Sequence, residues 1–524
     1  MQTLSVKCYR MKGMSVKQAA NARDAALMAL NDVEINGAYS AAAINRQIRR
    51  ITAPQHSRAD ADTYYRDRAL LNELLYGVIK RKATLDHIIS IVSKLPDKRI
   101  DITIKNILRL GVYQIVFLDK IPKPAACDEC VKLARKYGHA GSVRFVNAVL
   151  RKIASGDHKD FLPKRPKSLD IARDYNHDCD RDRDRNSNND RDYNLNRDYN
   201  LNRDHDYVRD YDHDKVLEYF ASSYSYPEWL CGRWLERFGA AFTEDMLIAL
   251  NEQPEFTIRI NRLRVVKHEL IEKLEDRGYR LKQTPFVDDG LIIENPGGFS
   301  DTPEFKEGFF TVQGAASMLC VRALDPQPHD KILDMCAAPG GKCGYIAELT
   351  ADRADVLAFD LFGHKISLME QNLARLGLTC VRAERRNAEA FDPNLKGSMN
   401  KVLLDAPCSG FGVLNKKPEI KWTRKPEDIR RLASAQSAML ANAAEYVSDG
   451  GIIVYCVCTT EREEGEMIIE EFLETRDDFR GGELTPGIPF ARGGYEIRLF
   501  PHIHGTDGFY IAKLEKKKTK RAQA

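Results

Sequence analysis

Two cysteines, Cys456 and Cys458, stand one residue apart at the end of an apolar stretch, GIIVYCVCTTEREEGE, over residues 451–466. A cysteine attacks only as its thiolate, so its surroundings decide whether it reacts or packs. The segment TEREEGEMIIEEFLE predicts a helix, and Thr460 with Glu463 fits a capping box at its start. Cys458 then precedes a helix N-terminus, where the dipole favours a thiolate. Cys456 lies two residues back on the same strand face and reads as a small packed side chain. A further thiol, Cys408, follows Asp405 and Pro407 at a strand end in LLDAPCSGFGV. DMCAAPGGK, residues 334–342, places Gly340 and Gly341 in a strand-to-helix turn that a ligand can approach closely. That turn is neither G-x-G-x-x-G nor G-x-x-x-x-G-K-[ST], which argues against a dinucleotide fold and a P-loop. Asp360 ends the next strand in LAFDLF, about 20 residues on, where a carboxylate accepts the ribose hydroxyls of an adenosine-type ligand.

The elements that must position these groups are legible from residue 310 onward. DKILDM, DVLAFDL, NKVLLDAPC and GGIIVYCVC read as strands, and KISLMEQNLARLGL and IRRLASAQSAMLANAAEYV as helices, the first ended by Gly377. Strands alternating with such helices predict a parallel sheet with right-handed crossovers, its carboxyl edge carrying the glycine turn, two carboxylates and two thiols. Upstream, residues 15 to 156 show helical periodicity throughout, with Ala22, Ala26, Leu30 and Val33 on one face and Leu71, Leu74, Leu75 and Val78 on another. From residue 170 to 214 apolar residues nearly vanish, charges alternate in sign, and RDYNLN occurs twice in succession; this stretch cannot bury a core. Mixed signs also make it a poor phosphate-binding arm. Order is expected again from Val216. Two short helices, YPEWLCGRWLERFG and TEDMLIALNE, and two strands, EFTIRINRLR and GLIIEN, follow.

Composition excludes little else. The 524 residues carry 43% hydrophobic and 30% charged side chains, ordinary for globular protein, and a net charge of +4 permits nucleic-acid binding without arguing for it. No apolar run approaches the roughly 18 residues that span a membrane, and no signal peptide is visible. The 12 cysteines lack a disulfide-framework spacing and read as reduced thiols of a cytoplasmic protein. Cys127 and Cys130 form a lone C-x-x-C without the second pair that a zinc site needs, so a buried helix face is expected and no metal.

Taken together, DMCAAPGGK, LLDAPCSGFGV, KPEIKW and VYCVCTTEREE resemble the RNA cytosine-5 methyltransferases that use S-adenosylmethionine. ARDAALMALNDVE, LRLGVYQIVFLDKIP and RFVNAVLRKI resemble the NusB-type RNA-binding domain, and the pairing resembles the RsmB (Sun/Fmu) branch. The resemblance implies an all-α NusB-like domain (15–156), a small α+β linker domain (215–309) and an α/β Rossmann-like methyltransferase domain (310–516), set around an N-terminal extension (1–14), the disordered Asp/Arg/Asn insert that composition marks (157–214) and a basic tail (517–524). It further implies methylation of one cytosine of 16S ribosomal RNA, cytosine 967 in the usual numbering, by a monomer with no membrane association.

Carbon 5 of cytosine is a poor nucleophile until a thiolate adds to carbon 6, so this chemistry needs a reactive cysteine, a group on the ring edge and an unstacked base. DNA cytosine-5 methyltransferases carry their nucleophile in the "PC" position, here Cys408. The RNA family's pattern assigns attack to Cys458, product release to Cys408 and the cytosine edge to Asp405. It places the cofactor against Cys336, Ala337, Ala338, Pro339, Gly340, Gly341, Lys342, Asp360 and Asp405. Two departures stand out: Asn387 occupies the place of the family's adenine-facing aspartate, which predicts weaker cofactor binding, and Gly465 replaces a polar residue. The basic stretch 415–431 with Trp422 reads equally as an RNA-contacting rim or a solvated face with a packed tryptophan. Two other readings remain at this point, a cytosine-5 methyltransferase acting on transfer or other RNA, and a non-catalytic RNA-binding assembly or antitermination factor.

Overall fold

The structure, a computed structural model, describes residues 21–50, 58–169, 212–284, 286–484, 488 and 493–518. The expected N-terminal extension, residues 170–211 of the Asp/Arg/Asn insert and residues 519–524 of the basic tail lie outside the described residues. Two compact units emerge. One holds residues 21–169 with 212–233, the other residues 234–518, within those limits.

The first unit is helical, as its periodicity predicts, with helices Ala22–Asn36, Ser40–Ile48, Arg58–Lys80, Lys82–Val92, Ile102–Phe117, Lys123–Tyr137 and Ala140–Ser155. The two faces read from sequence are interior: Ala22, Ala26, Leu30, Val33, Leu71, Leu74, Leu75 and Val78 are all buried. Side-chain caps start three of these helices, Asn21 accepting from the Asp24 amide, Asp101 from those of Thr103 and Ile104, and His139 from those of Gly141 and Ser142. Buried charge is paired, with Arg109 bidentate on Asp86 at 2.7 Å through each nitrogen. Cys127 and Cys130 are buried on one helix, and burial pushes the Cys130 thiol up to about 12.

The boundaries of the insert differ from the expectation on both sides. Residues His158–Phe161 form a 3-10 turn and Leu169 is buried, because FLPKRPKSL still supplies apolar side chains. On the far side the helix His213–Ser223 begins ahead of Val216, capped by Asp212, and the Thr84 hydroxyl donates to the Ser222 carbonyl at 2.6 Å.

The second unit contains two sheets. The smaller is antiparallel, in the order β2-β3-β1-β4, from β1 (Phe256–Ile260), β2 (Leu281–Gln283), β3 (Gly290–Ile293) and β4 (Phe310–Val312). Leu270 and Leu274 of helix Lys267–Asp276 close its core with Ile258, Ile260, Leu291, Ile293 and Phe310. Three-residue β2 and β4 are too short to show alternation in the sequence. The larger sheet contains β5 (Lys331–Asp334), β6 (Asp355–Asp360), β7 (Val381–Arg385), β8 (Met399–Asp405), β9 (Val447–Val457), β10 (Phe479–Gly481), β11 (Glu496–Leu499) and β12 (Phe509–Lys516). Its order is β10-β12-β9-β8-β5-β6-β7, with β11 also on β12.

The expected parallel sheet holds for β5 to β9, whose apolar runs are covered on both faces. The expectation fails beyond β9. β12 runs antiparallel to β9, β10 and β11, so the sheet is mixed. Antiparallel pairs need no crossover helix, and that removes the alternation on which the parallel reading relied. The strand order reverses around β5, between β8 and β6, which makes the carboxyl ends of those strands the ligand-binding crevice.

Arg259 couples the small sheet to the glycine turn. It is fully buried, grips Glu348 at 2.7 and 2.8 Å, donates to the Gly341 carbonyl at 2.7 Å and bonds Gln313. Truncating one partner of a buried pair strands the other charge. Arg259→Leu should lower unfolding free energy by about 3 kcal/mol in urea titrations. The deficit should grow from pH 5 to pH 8, because the stranded Glu348 carboxyl is neutral at the lower pH and charged at the higher. A pH-independent deficit would refute this account.

Candidate active site

The turn after β5 is held by backbone bonds to β8 and β6 and by one bond within the turn. The Met335 amide donates to Leu403 at 3.0 Å, Ala337 to Phe359 at 2.8 Å, and Gly340 to Ala337 at 2.8 Å. Gly340 adopts φ 99°, open to glycine but strained for other residues, and the helix Gly341–Leu349 starts directly after it. Lys342, in that helix, reaches Asp405 at the end of β8 with Nζ to Oδ2 at 2.5 Å. Burial alone would lower the Lys342 ammonium, but the Asp405 carboxylate more than offsets it and keeps the charge.

Three carboxylates converge here. Asp360 ends β6, nearly buried, accepting from the Phe362 amide at 3.0 Å and facing Lys365 at 3.4 Å. Asp334, which sequence reasoning passed over, ends β5 fully buried with no side-chain hydrogen bond. Burial and then the nearby Asp405 charge push its carboxyl up to about 7. Cys336 is half-buried with its thiol raised by burial, and Asn387 is exposed in the turn after β7, its Oδ1 accepting from the Glu389 amide at 3.1 Å.

The thiols meet one strand further on. Cys408, in the loop after β8, and Cys458, directly after β9, place their sulfurs 3.1 Å apart as free thiols. β8 and β9 are parallel neighbours with Asp405 opposite Cys456, which brings the two strand-end loops side by side. The Gly412 amide donates to the Cys458 carbonyl at 3.1 Å, and Gly508 to Gly412 at 2.8 Å. A Cβ on Gly412 would lie 1.9 Å from the Gly508 carbonyl oxygen, so only glycine fits this crossing. Cys456 is fully buried, 3.6 Å from Asp405.

The two thiols titrate apart. The hydrogen bond from Cys408 lowers Cys458, assisted by the Lys417 and Lys342 charges against burial and Asp405. The same bond raises Cys408, with burial, Glu464 and Asp405 adding to it. The capping box expected at Thr460 and Glu463 is absent. Thr460 bonds Glu461, a 3-10 turn Arg462–Glu464 intervenes, and the helix Glu466–Thr475 starts at Gly465 without a side-chain cap. The dipole fades within a turn, so the reason for an acidic Cys458 is the neighbouring thiol and not the helix.

The loops have a hidden support that sequence reasoning also passed over. Glu464 is buried on Ser409 and Gln436, Trp234 donates to Glu461 at 2.8 Å, and Arg424 donates to the Cys408 and Ser409 carbonyls at 3.3 Å. In the basic stretch 415–431, Glu419, Ile420 and Lys421 are interior and Lys416 pairs with Asp507 at 2.6 Å. Trp422 is half-buried, and Lys417, Lys425, Arg430 and Arg431 are exposed.

A doubly wound sheet with this crevice defines the class, a Rossmann-like methyltransferase domain joined to a small α+β domain and a helical domain. The comparisons agree on each part. Residues 321–515 match the family described as 16S rRNA methyltransferase RsmB/F, residues 20–155 the NusB family, and residues 226–300 the ferredoxin-like domain of RsmF/B-like methyltransferases. The probable ribosomal RNA small subunit methyltransferase B of Bacillus subtilis is 32% identical over 94% of this chain and 98% of its own. The 28S rRNA (cytosine-C(5))-methyltransferase of Mus musculus is 36% identical over 56% of this chain and 39% of its own. The crystal structure of NSun6 from Pyrococcus horikoshii with SFG, an analogue of S-adenosylmethionine, is 25% identical at a TM-score of 0.50, covering 56% of this chain and 99% of that one. The chain belongs to the RsmB/F family of 16S rRNA methyltransferases.

Cys408→Ala removes the hydrogen bond that lowers Cys458. The midpoint of iodoacetamide alkylation at Cys458, below the ordinary thiol value of about 8.5 in the wild type, should rise by about one unit or more. An unchanged midpoint would show that the pair is not coupled.

Proposed function

We propose that this protein methylates carbon 5 of a cytosine in 16S ribosomal RNA, using S-adenosylmethionine, through a covalent bond between Cys458 and carbon 6 of the base. The observation that carries the reading is the Cys408–Cys458 contact beside the Lys342–Asp405 pair. Cytosine 967 is the target that the family resemblance implies, and a cytoplasmic monomer is the form proposed to act.

The crevice fits the cofactor by its chemistry. Three carboxylates, Asp334, Asp360 and Asp405, stand with two ammonium groups, Lys342 on Asp405 and Lys365 on Asp360, which suits a ligand with hydroxyls and positive charge better than one with phosphates. The turn from Cys336 to Lys342 would hold the amino-acid end, Asp360 the ribose hydroxyls and Asn387 the adenine amine. When bound, S-adenosylmethionine supplies an electrophilic methyl group. The rest falls to the chain. Asp405, fixed by Lys342, accepts from the exocyclic amine on the edge of the flipped cytosine. The Cys458 thiolate adds to carbon 6 and raises electron density at carbon 5. Once carbon 5 is methylated and its proton is lost to a base, the carbon 5–carbon 6 double bond re-forms and the thiolate leaves. The expelled sulfur recovers the hydrogen bond from Cys408, which favours release over re-addition.

The domain bounds proposed are a NusB-like domain over 15–156, a linker domain over 215–309 and a methyltransferase domain over 310–516, with the insert starting at 170.

The reading is tested by mixing wild type, Cys408→Ala and Cys458→Ala with unmodified 16S RNA and S-adenosylmethionine on a denaturing gel. An RNA-linked band should accumulate with Cys408→Ala and be lost with Cys458→Ala. The reverse pattern would put attack on Cys408. In calorimetry, Asn387→Asp should tighten S-adenosylmethionine binding by about threefold to tenfold, a charged for a neutral hydrogen-bond acceptor. Unchanged affinity would remove Asn387 from the adenine site.

A further inference from the structure

Glu464 takes no part in the chemistry above, yet its carboxylate is fully buried between the two loops that carry the thiols. Those loops, 406–410 and 458–461, are neither helix nor strand, so side chains must fix their spacing. Oε1 accepts from the Ser409 amide at 2.8 Å and from Gln436 at 3.1 Å, and Oε2 accepts from the Ser409 hydroxyl at 2.5 Å. Ser409 Oγ lies 2.7 Å from Thr459 Oγ1. Ser409 adjoins Cys408 and Thr459 adjoins Cys458, so the network touches the chain one residue from each sulfur. Gln436 also donates to the Pro407 carbonyl at 2.8 Å, and the Tyr455 hydroxyl to the Glu464 carbonyl at 2.6 Å.

We propose that Glu464 is a positioning residue that holds the Cys408 thiol against Cys458 and keeps Cys408 as the proton donor of the pair. Its anchoring is mutual, since a buried carboxylate with these donors cannot leave without stranding Ser409 and Gln436. Its charge acts as well. Beside Cys408 it opposes a second anion there, which favours ionisation at Cys458, where the Lys417 and Lys342 charges act. Burial raises Glu464 itself, and the two Ser409 bonds and Gln436 pull it back. The groups that set the Cys458 thiolate are then Cys408, Asp405 at the end of β8, Lys342 in the helix after β5 and Lys417. The inference rests on the proposed function only for which sulfur attacks RNA, and not for how the sulfurs are held.

The test uses the full chain as Glu464→Ala, Glu464→Gln and Ser409→Ala. Alkylation of Cys458 by iodoacetamide across pH is followed by peptide mass spectrometry, beside kcat, KM for RNA and calorimetric S-adenosylmethionine affinity. Glu464→Ala should raise the Cys458 midpoint by about one unit and cut kcat about tenfold or more, leaving KM and cofactor affinity within about twofold. Glu464→Gln keeps an acceptor for the Ser409 amide and offers a donor to its hydroxyl but carries no charge, so it should restore kcat and the midpoint in part, between Glu464→Ala and wild type. A wild-type midpoint and kcat in Glu464→Ala would overturn the proposal. So would equal damage in Glu464→Ala and Glu464→Gln accompanied by lost cofactor binding, which marks a merely structural role. If Glu464→Ala does not fold, Ser409→Ala decides, and an unshifted midpoint there refutes the idea. A shifted midpoint together with an RNA adduct mapped to Cys408 would uphold the positioning role and sink the assignment of attack to Cys458.

Discussion

Two sulfur atoms 3.1 Å apart, on loops fifty residues apart in sequence, are the constraint around which the rest of the second unit is arranged. The contact requires β8 and β9 to be adjacent and parallel, so that both loops leave the same edge of the sheet. It requires the loop after β8 to pass close enough to β12 that no side chain fits between Gly412 and Gly508. It also explains an otherwise costly burial of polar groups. Glu464, Ser409, Thr459 and Gln436 are all interior and bond one another, and the buried Glu461 carboxylate is bonded by Trp234 and Thr460.

The neighbouring crevice obeys the same logic with opposite charge. Gathering Asp334, Asp360 and Asp405 at three strand ends is unfavourable unless something cationic or protonated relieves it. Lys342 neutralises one carboxylate, and Asp334 responds by rising to about 7. The fixed frame beneath it comes from Arg259, which spends a fully buried guanidinium on the carbonyl of Gly341 and on Glu348, so the turn is held from the far side of the ligand crevice.

Much of this was legible in the sequence for identifiable reasons. Helical periodicity in the first unit and the strand–helix alternation of β5 to β9 follow from burying one stripe or both faces, which writes itself into every turn or strand. The glycine turn, Asp360, Asp405 and the thiols stand at strand ends and were legible as chemistry out of place in apolar runs. What escaped depends on partners distant in the chain. β2 and β4 are too short to carry a period, and β10 to β12 pair antiparallel without a helix to announce them. Asp334 read as the last residue of a strand, and Glu464 as one carboxylate of an acidic helix start. Only the structure shows the first without a side-chain partner and the second bonded to a residue fifty-five positions upstream.

The failed helix cap at Thr460 is the most instructive of these differences. A dipole would have acidified Cys458 whatever stood opposite, leaving Cys408 a bystander. With the helix displaced to Glu466, the thiolate is stabilised by a thiol, and a thiol can do so only while it keeps its own proton. The acidity of one sulfur therefore depends on the basicity of the other. Glu464 and Asp405 supply that basicity to Cys408, while Lys417 and Lys342 favour the anion at Cys458. A contact of 3.1 Å thus divides two chemically identical side chains into one that ionises more readily and one that keeps its proton, and the division is drawn by the charges around them and not by their places in the chain.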